Sequence, residues 1–143
     1  PQMPPLQLAP DDPLILEATR KATRSLDRFR ELLRGAHKGA MAKVRFISNS
    51  NETEFLWSEV RALRDTEIEV LYTTPPVTHT GRLERVHTHP LSDLVDWQVE
   101  TSEGLFEGGF SMLAMFTRAR EQWGQLPPEL AALERRYRTG HAA

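Results

Sequence analysis

The chain has 143 residues, of which 39% are hydrophobic and 27% charged, and its formal net charge is -2. That balance belongs to a folded chain with one core rather than to a disordered one, and it lacks the excess positive charge of a dedicated nucleic-acid binder. The complete absence of cysteine excludes disulfide frameworks, thiolate zinc sites, iron–sulfur clusters and cysteine nucleophiles.

In chain order, residues 1–11 read as an extended arm, because Pro1, Pro4, Pro5 and Pro10 leave little to pack. Asp12 then supplies an N-cap and Pro13 a first helical residue. The apolar positions Ile15, Ala18, Ala22, Leu26, Phe29 and Leu33 recur at steps of three or four, which predicts one helix closed by Gly35. Ala42 to Ile47 alternates, with Ala42, Val44 and Phe46 on one side and Lys43 and Arg45 on the other. This segment and the aromatic run Phe55 to Val60 predict a β-hairpin around Ser48–Asn51. Ile68, Val70 and Tyr72 predict a third strand ended by Pro75-Pro76. A fourth is expected over Gly81–Val86 and a fifth over Leu94–Thr101, with His87, His89 and Pro90 in the loop between them. Beyond Gly108-Gly109, the spacing of Phe110, Leu113, Ala114, Phe116 and Ala119 predicts a helix to Trp123, and Pro127-Pro128 opens a last one with Leu130, Leu133 and Tyr137 as its stripe.

The fold class that follows is α+β: a mainly antiparallel sheet of about five strands with the helices packed on one face. The expected organisation is an arm over residues 1–11, one domain over residues 12–126, and a C-terminal helix and tail over residues 127–143. Phe46, Trp57, Val60, Ile68, Val70, Trp97, Phe110, Leu113 and Phe116 are expected to dominate the core. No apolar run approaches the roughly 20 residues of a membrane-spanning helix, and no signal-peptide pattern opens the chain, so a cytoplasmic protein is expected. A start at Pro1 is also what a processed N-terminus would leave.

The order of these signals resembles the bacterial YegJ-like domain family, whose activity is not established. The residues that carry the resemblance are Met41 to Phe46, Glu54 to Trp57 with Val60, the Pro75 region, Gly81, Val95-Asp96-Trp97 and Gly108-Gly109-Phe110, and it spans Leu14 to Arg120. The family's strand glycine and the asparagine before its proline are absent here, Glu69 or Val70 and Thr73 or Thr74 standing in their places. What the resemblance implies is an α+β domain without an assigned catalytic residue or cofactor. Immunity and interaction proteins of this general size serve as analogies for its role.

Several residue groups could carry chemistry. His79, His87, His89, Asp93 and Asp96 offer imidazoles and carboxylates of the kind that bind zinc, with His87, His89 and Asp93 as the narrowest set. The plainer alternative makes the histidines exposed loop residues and Asp93 a turn former. Asp96 beside Trp97 could be a general acid or base, or could bond to backbone from the opposite strand face while Trp97 fills the core. Glu52, Glu54, Glu59, Glu67 and Glu69 could supply a hydrolytic carboxylate pair or simply coat a sheet face. Arg20, Lys21, Arg24, Arg28, Arg30 and Arg34 could meet phosphates, or pair locally with Glu17, Asp27 and Glu31. Gly108-Gly109 could expose a helix N-terminus to an anion, or serve as a tight transition.

No complete catalytic set is present among these groups. The leading expectation is a non-enzymatic protein-binding module, with immunity to a toxin as one version, a protein partner, no cofactor and no membrane contact. The competing expectation is a metal-dependent or carboxylate hydrolase centred on His87, His89, Asp93 and Asp96.

Overall fold

The computed structural model describes residues 8–138. It is an α+β fold in which one six-stranded antiparallel sheet carries four helices. The strands are β1 (His37–Ile47), β2 (Thr53–Leu63), β3 (Glu67–Tyr72), β4 (Val86–Pro90), β5 (Leu94–Thr101) and β6 (Phe106–Gly108), in the order β4-β3-β2-β1-β5-β6. The helices are α1 (Pro13–Arg24), α2 (Leu26–Arg34), α3 (Phe110–Trp123) and α4 (Pro128–Glu134). Among the described residues no helix is long and apolar enough to cross a membrane. Of the expected N-terminal arm, residues 1–7 lie outside the described part of the chain.

The first helix begins as its sequence dictates, with the Asp12 carboxylate accepting from the Leu14 N–H at 2.9 Å and Pro13 in the first turn. It does not run unbroken to Gly35, however. The Ser25 hydroxyl donates to the Lys21 carbonyl at 2.7 Å and accepts from the Trp97 indole at 3.2 Å. A side chain that bonds back into the preceding turn while tied to the sheet bends the helix there, and Ser25, at φ -107° and ψ 20°, stands between α1 and α2. The bend seats Phe29 flat on Trp97, with ring centroids 4.9 Å apart.

The β1–β2 hairpin turns on Asn51, whose φ of 66° suits asparagine, and pairs Val44 with Leu56 and Lys43 with Trp57. β1 pairs on its other side with β5, setting Ala42 against Trp97 and Lys43 against Asp96. Partners in an antiparallel pair share a face, so Ala40, Ala42, Val44, Trp97 and Val99 form one buried surface. α2 packs over β5 and β1, and α1 packs against β5 and α3.

Two strand assignments differ from expectation. The fourth strand is Val86–Pro90 rather than Gly81–Val86, because His87 and His89 pair with Val70 and Ile68 and continue the sheet. The segment before it is instead a loop moored to the hairpin: Glu54 accepts from the N–H groups of Val77 and Thr78, and Asn49 accepts from the Thr80 N–H. β6 is a sixth strand of three residues, too short to leave a periodic signature. Phe46, Ile68, Val70, Trp97, Phe110 and Phe116 are buried as expected. Trp57, Val60 and Leu113 are only half-buried. In β2 it is Leu56 and Ser58 that face the core, so the alternation turns Trp57 to the other side of the sheet, beside Lys43.

Beyond α4 the chain returns to the sheet edge. The Phe106 N–H donates to the Arg136 carbonyl and the Arg138 N–H donates to the Phe106 carbonyl, Tyr137 forms a parallel bridge to Phe106, and the Tyr137 hydroxyl donates to Gln98 at 2.7 Å.

Candidate functional site

The histidines come together around Tyr72. His89 is 8% exposed, its Nε2 lies 2.6 Å from the Tyr72 hydroxyl, and its Nδ1 lies 3.5 Å from the Asp93 carboxylate, whose other oxygen faces Arg45 at 3.3 Å. Burial pushes the His89 pKa down against the opposing pull of Asp93, which favours a neutral ring with its proton on Nδ1. Nε2 then accepts from Tyr72, whose own pKa is raised by burial. His87 stacks on Tyr72 at 4.4 Å and donates from Nε2 to the Glu84 carbonyl. His79 lies against Phe46 with its Nδ1 buried and without a hydrogen-bond partner.

The sequence-derived metal set is therefore only partly gathered. His87 and His89 have ring centroids 6.3 Å apart and Asp93 touches His89, but both nitrogens of His89 are already engaged. Among the described residues no three histidine, aspartate or glutamate side chains form a group that could hold a metal ion. The Tyr72–His89–Asp93–Arg45 chain runs from a tyrosine 2% exposed to a half-exposed arginine, and it ties β3, β4 and β1 together.

Asp96 lies apart from the histidines. Its carboxylate, fully buried, accepts from the N–H groups of Trp97, Phe110 and Ser111 and from the Ser111 hydroxyl. Burial pushes its pKa up to about 6 even though all these donors favour the charged form. The carboxylate so satisfies the first turn of α3, and the Gly109 N–H donates to the Trp97 carbonyl at 2.7 Å. No open anion site remains at Gly108-Gly109: the protein's own groups fill it. Of the acidic stretch, Glu54 moors a loop and Glu67 and Glu69 pair with Arg64.

Three of the six basic residues of the first helical region pair with carboxylates. Arg20 and Arg24 pair with Glu17, and Arg28 pairs with Glu31 and, through two parallel bonds of 2.9 and 2.8 Å, with the buried Glu107. Arg34 is different. It joins Arg30, His37, Lys38 and Arg61 around an open cleft of about 750 Å³, formed by the end of α2, the start of β1 and the end of β2. Among the described residues, the side chains of Arg34, Lys38 and Arg61 have no hydrogen-bond or ion-pair partner. Leu33, Met41, Val60, Leu63 and Phe106 add apolar walls, and Glu59 and Glu100 are its acidic members, the latter held by Arg136.

Lys38 and Arg61 were not legible as site residues, because no local spacing links them to Arg34. They line one cleft because β1 and β2 run antiparallel, so the beginning of one strand and the end of the other leave the paired stretch together beyond Met41 and Glu59. Comparison with known proteins found no matching family model, no matching curated protein and no matching solved structure. The class defined by fold and site is an α+β protein with a basic, partly apolar cleft at one end of its sheet.

Proposed function

We propose that this chain is a non-enzymatic, YegJ-like protein-binding module that takes an acidic segment of a partner protein into the cleft between α2 and the β1–β2 ends. The observation that carries the reading is the convergence on one open cleft of the Arg34, Lys38 and Arg61 side chains, all without partners among the described residues. Exposed cations held together repel one another, and an acidic ligand relieves that repulsion while the potential they create speeds encounter.

The walls favour a peptide over a nucleic acid. Leu33, Val60, Leu63 and Phe106 suit apolar side chains interspersed with carboxylates, and Glu59 opposes a run of phosphates. Neutralisation of a toxin is one version of such binding, since acidic-to-basic pairing gives fast and specific capture.

The test is affinity capture from native lysate by the wild-type protein and by the Arg34→Glu/Lys38→Glu/Arg61→Glu variant, with sizing of the complex by light scattering. A stoichiometric acidic protein retained by the wild type and lost by the variant is expected, with affinity falling as salt rises. Equal retention by both, or salt-steep binding of an oligonucleotide in place of a protein, overturns the reading.

A further inference from the structure

We propose that a second cavity, beneath the first turns of α1, is a binding site for a small amphiphilic carboxylate whose carboxyl group pairs with Lys43. The cavity holds about 250 Å³, below the roughly 300–1,000 Å³ usual for drug-sized ligands, so its occupant is small. Leu8, Ile15, Leu16, Phe55 and Val95 line it with hydrocarbon, and Leu16 at its rim is 46% exposed.

Lys43 is the charged group in this lining. Its strand neighbours on the same face are Asp96 on β5 and Trp57 on β2. Asp96 attracts the ammonium but does not bond to it, because Trp97, Phe110 and Ser111 already supply four donors to that carboxylate. Trp57 offers only its ring, 5.9 Å from Nζ. Among the described residues the Lys43 ammonium has no hydrogen-bond or ion-pair partner. Burial lowers its pKa from the ordinary lysine value, the mark of an ammonium short of solvent.

Among the described residues no anion bonds to the Lys43 ammonium, although Asp96 attracts it. A monocarboxylate supplies one negative charge for one ammonium, the Thr19 side chain in the same lining offers a further donor, and the hydrocarbon tail meets the apolar walls. A dianion would leave charge unpaired against those walls. The cleft of Arg34, Lys38 and Arg61 is lined by a separate set of residues, so the two sites can be tested independently.

The experiment is calorimetric titration of the full chain with octanoate below its micelle concentration, beside octanol and octylamine. Saturable one-to-one binding is expected for octanoate, with the alcohol and the amine at least about tenfold weaker, as loss of one charge-assisted bond predicts. Lys43→Met should weaken octanoate by a similar factor, and Arg61→Ala should leave it unchanged. Octanol binding as tightly as octanoate, unaltered affinity in Lys43→Met, or no saturable octanoate binding overturns the proposal. Should Lys43→Met fail to fold, the comparison of the three ligands on the wild-type chain decides.

Discussion

The Asp96 carboxylate receives two hydrogen bonds from Ser111, one from its backbone N–H at 2.8 Å and one from its hydroxyl at 2.5 Å. With the further bond from the Phe110 N–H at 3.1 Å, a strand residue caps a helix that starts fourteen positions later. Asp96→Ala leaves buried donors without an acceptor and is expected to cost about 2–4 kcal/mol in urea denaturation.

The same carboxylate should shape the response to pH. Its pKa rises from an ordinary 3.8 to about 6 on folding, so between those values the native state keeps a proton that the unfolded chain releases. Stability contributed by the protonated form is present below pH 3.8 and is lost as pH rises through 6, by up to about 3 kcal/mol. Asp96→Asn should remove this component. Denaturation midpoints of wild type and variant at pH 4.5 and pH 7 check it: a wild-type slope no steeper than the variant's would refute the assignment.

His89 acts in the opposite sense. Its folded pKa is depressed by burial, so stability from the neutral ring is present above about 6.5 and is lost as pH falls below that value. Tyr72→Phe leaves Nε2 without its donor and should cost about 1–2 kcal/mol at neutral pH. Zinc titration of metal-free protein should release no heat that His87→Ala or His89→Ala abolishes. Histidine-dependent zinc binding would instead revive the hydrolase alternative.

Gly108 and Gly124 separate backbone strain from steric conflict. Both have φ near +80°, but a β-carbon at Gly108 would collide with the carbonyl and ring of Trp97, and one at Gly124 would meet nothing. Gly124→Ala is expected to cost about 1 kcal/mol. Gly108→Ala should cost several-fold more or prevent folding, since the obstructing atoms belong to backbone and to the central indole. Similar melting temperatures for the two variants would contradict this close approach.

The two tryptophans of the sheet should differ likewise. Trp97, fully buried between Phe29 and Phe110, should cost about 3–5 kcal/mol on truncation to alanine. Trp57, half-buried beside Lys43, should cost no more than about 2 kcal/mol. Chemical denaturation of each variant measures the difference.

Patterns that are local in the chain were legible without the structure. Asp12-Pro13 started α1, the alternation in Ala42–Ile47 and Ile68–Tyr72 marked strands, and Gly108-Gly109 marked the entry to α3, because capping, pleat and glycine freedom act over a few residues. The local reading also anticipated that Asp96 bonds backbone while Trp97 fills the core. It failed where a distant partner decides. Ser25 bends a periodic helix because Trp97 holds its hydroxyl, Trp57 leaves the core because Leu56 and Ser58 face it, and His87 and His89 become strand residues because β3 offers an edge. Arg34, Lys38 and Arg61 share a cleft only through the placement of α2 at the ends of β1 and β2, and Lys43 meets its cavity only through the packing of α1 against the sheet. Composition and periodicity thus determined the elements and the α+β class; tertiary structure alone decided which charges stand unpaired together, since that depends on register between segments tens of residues apart.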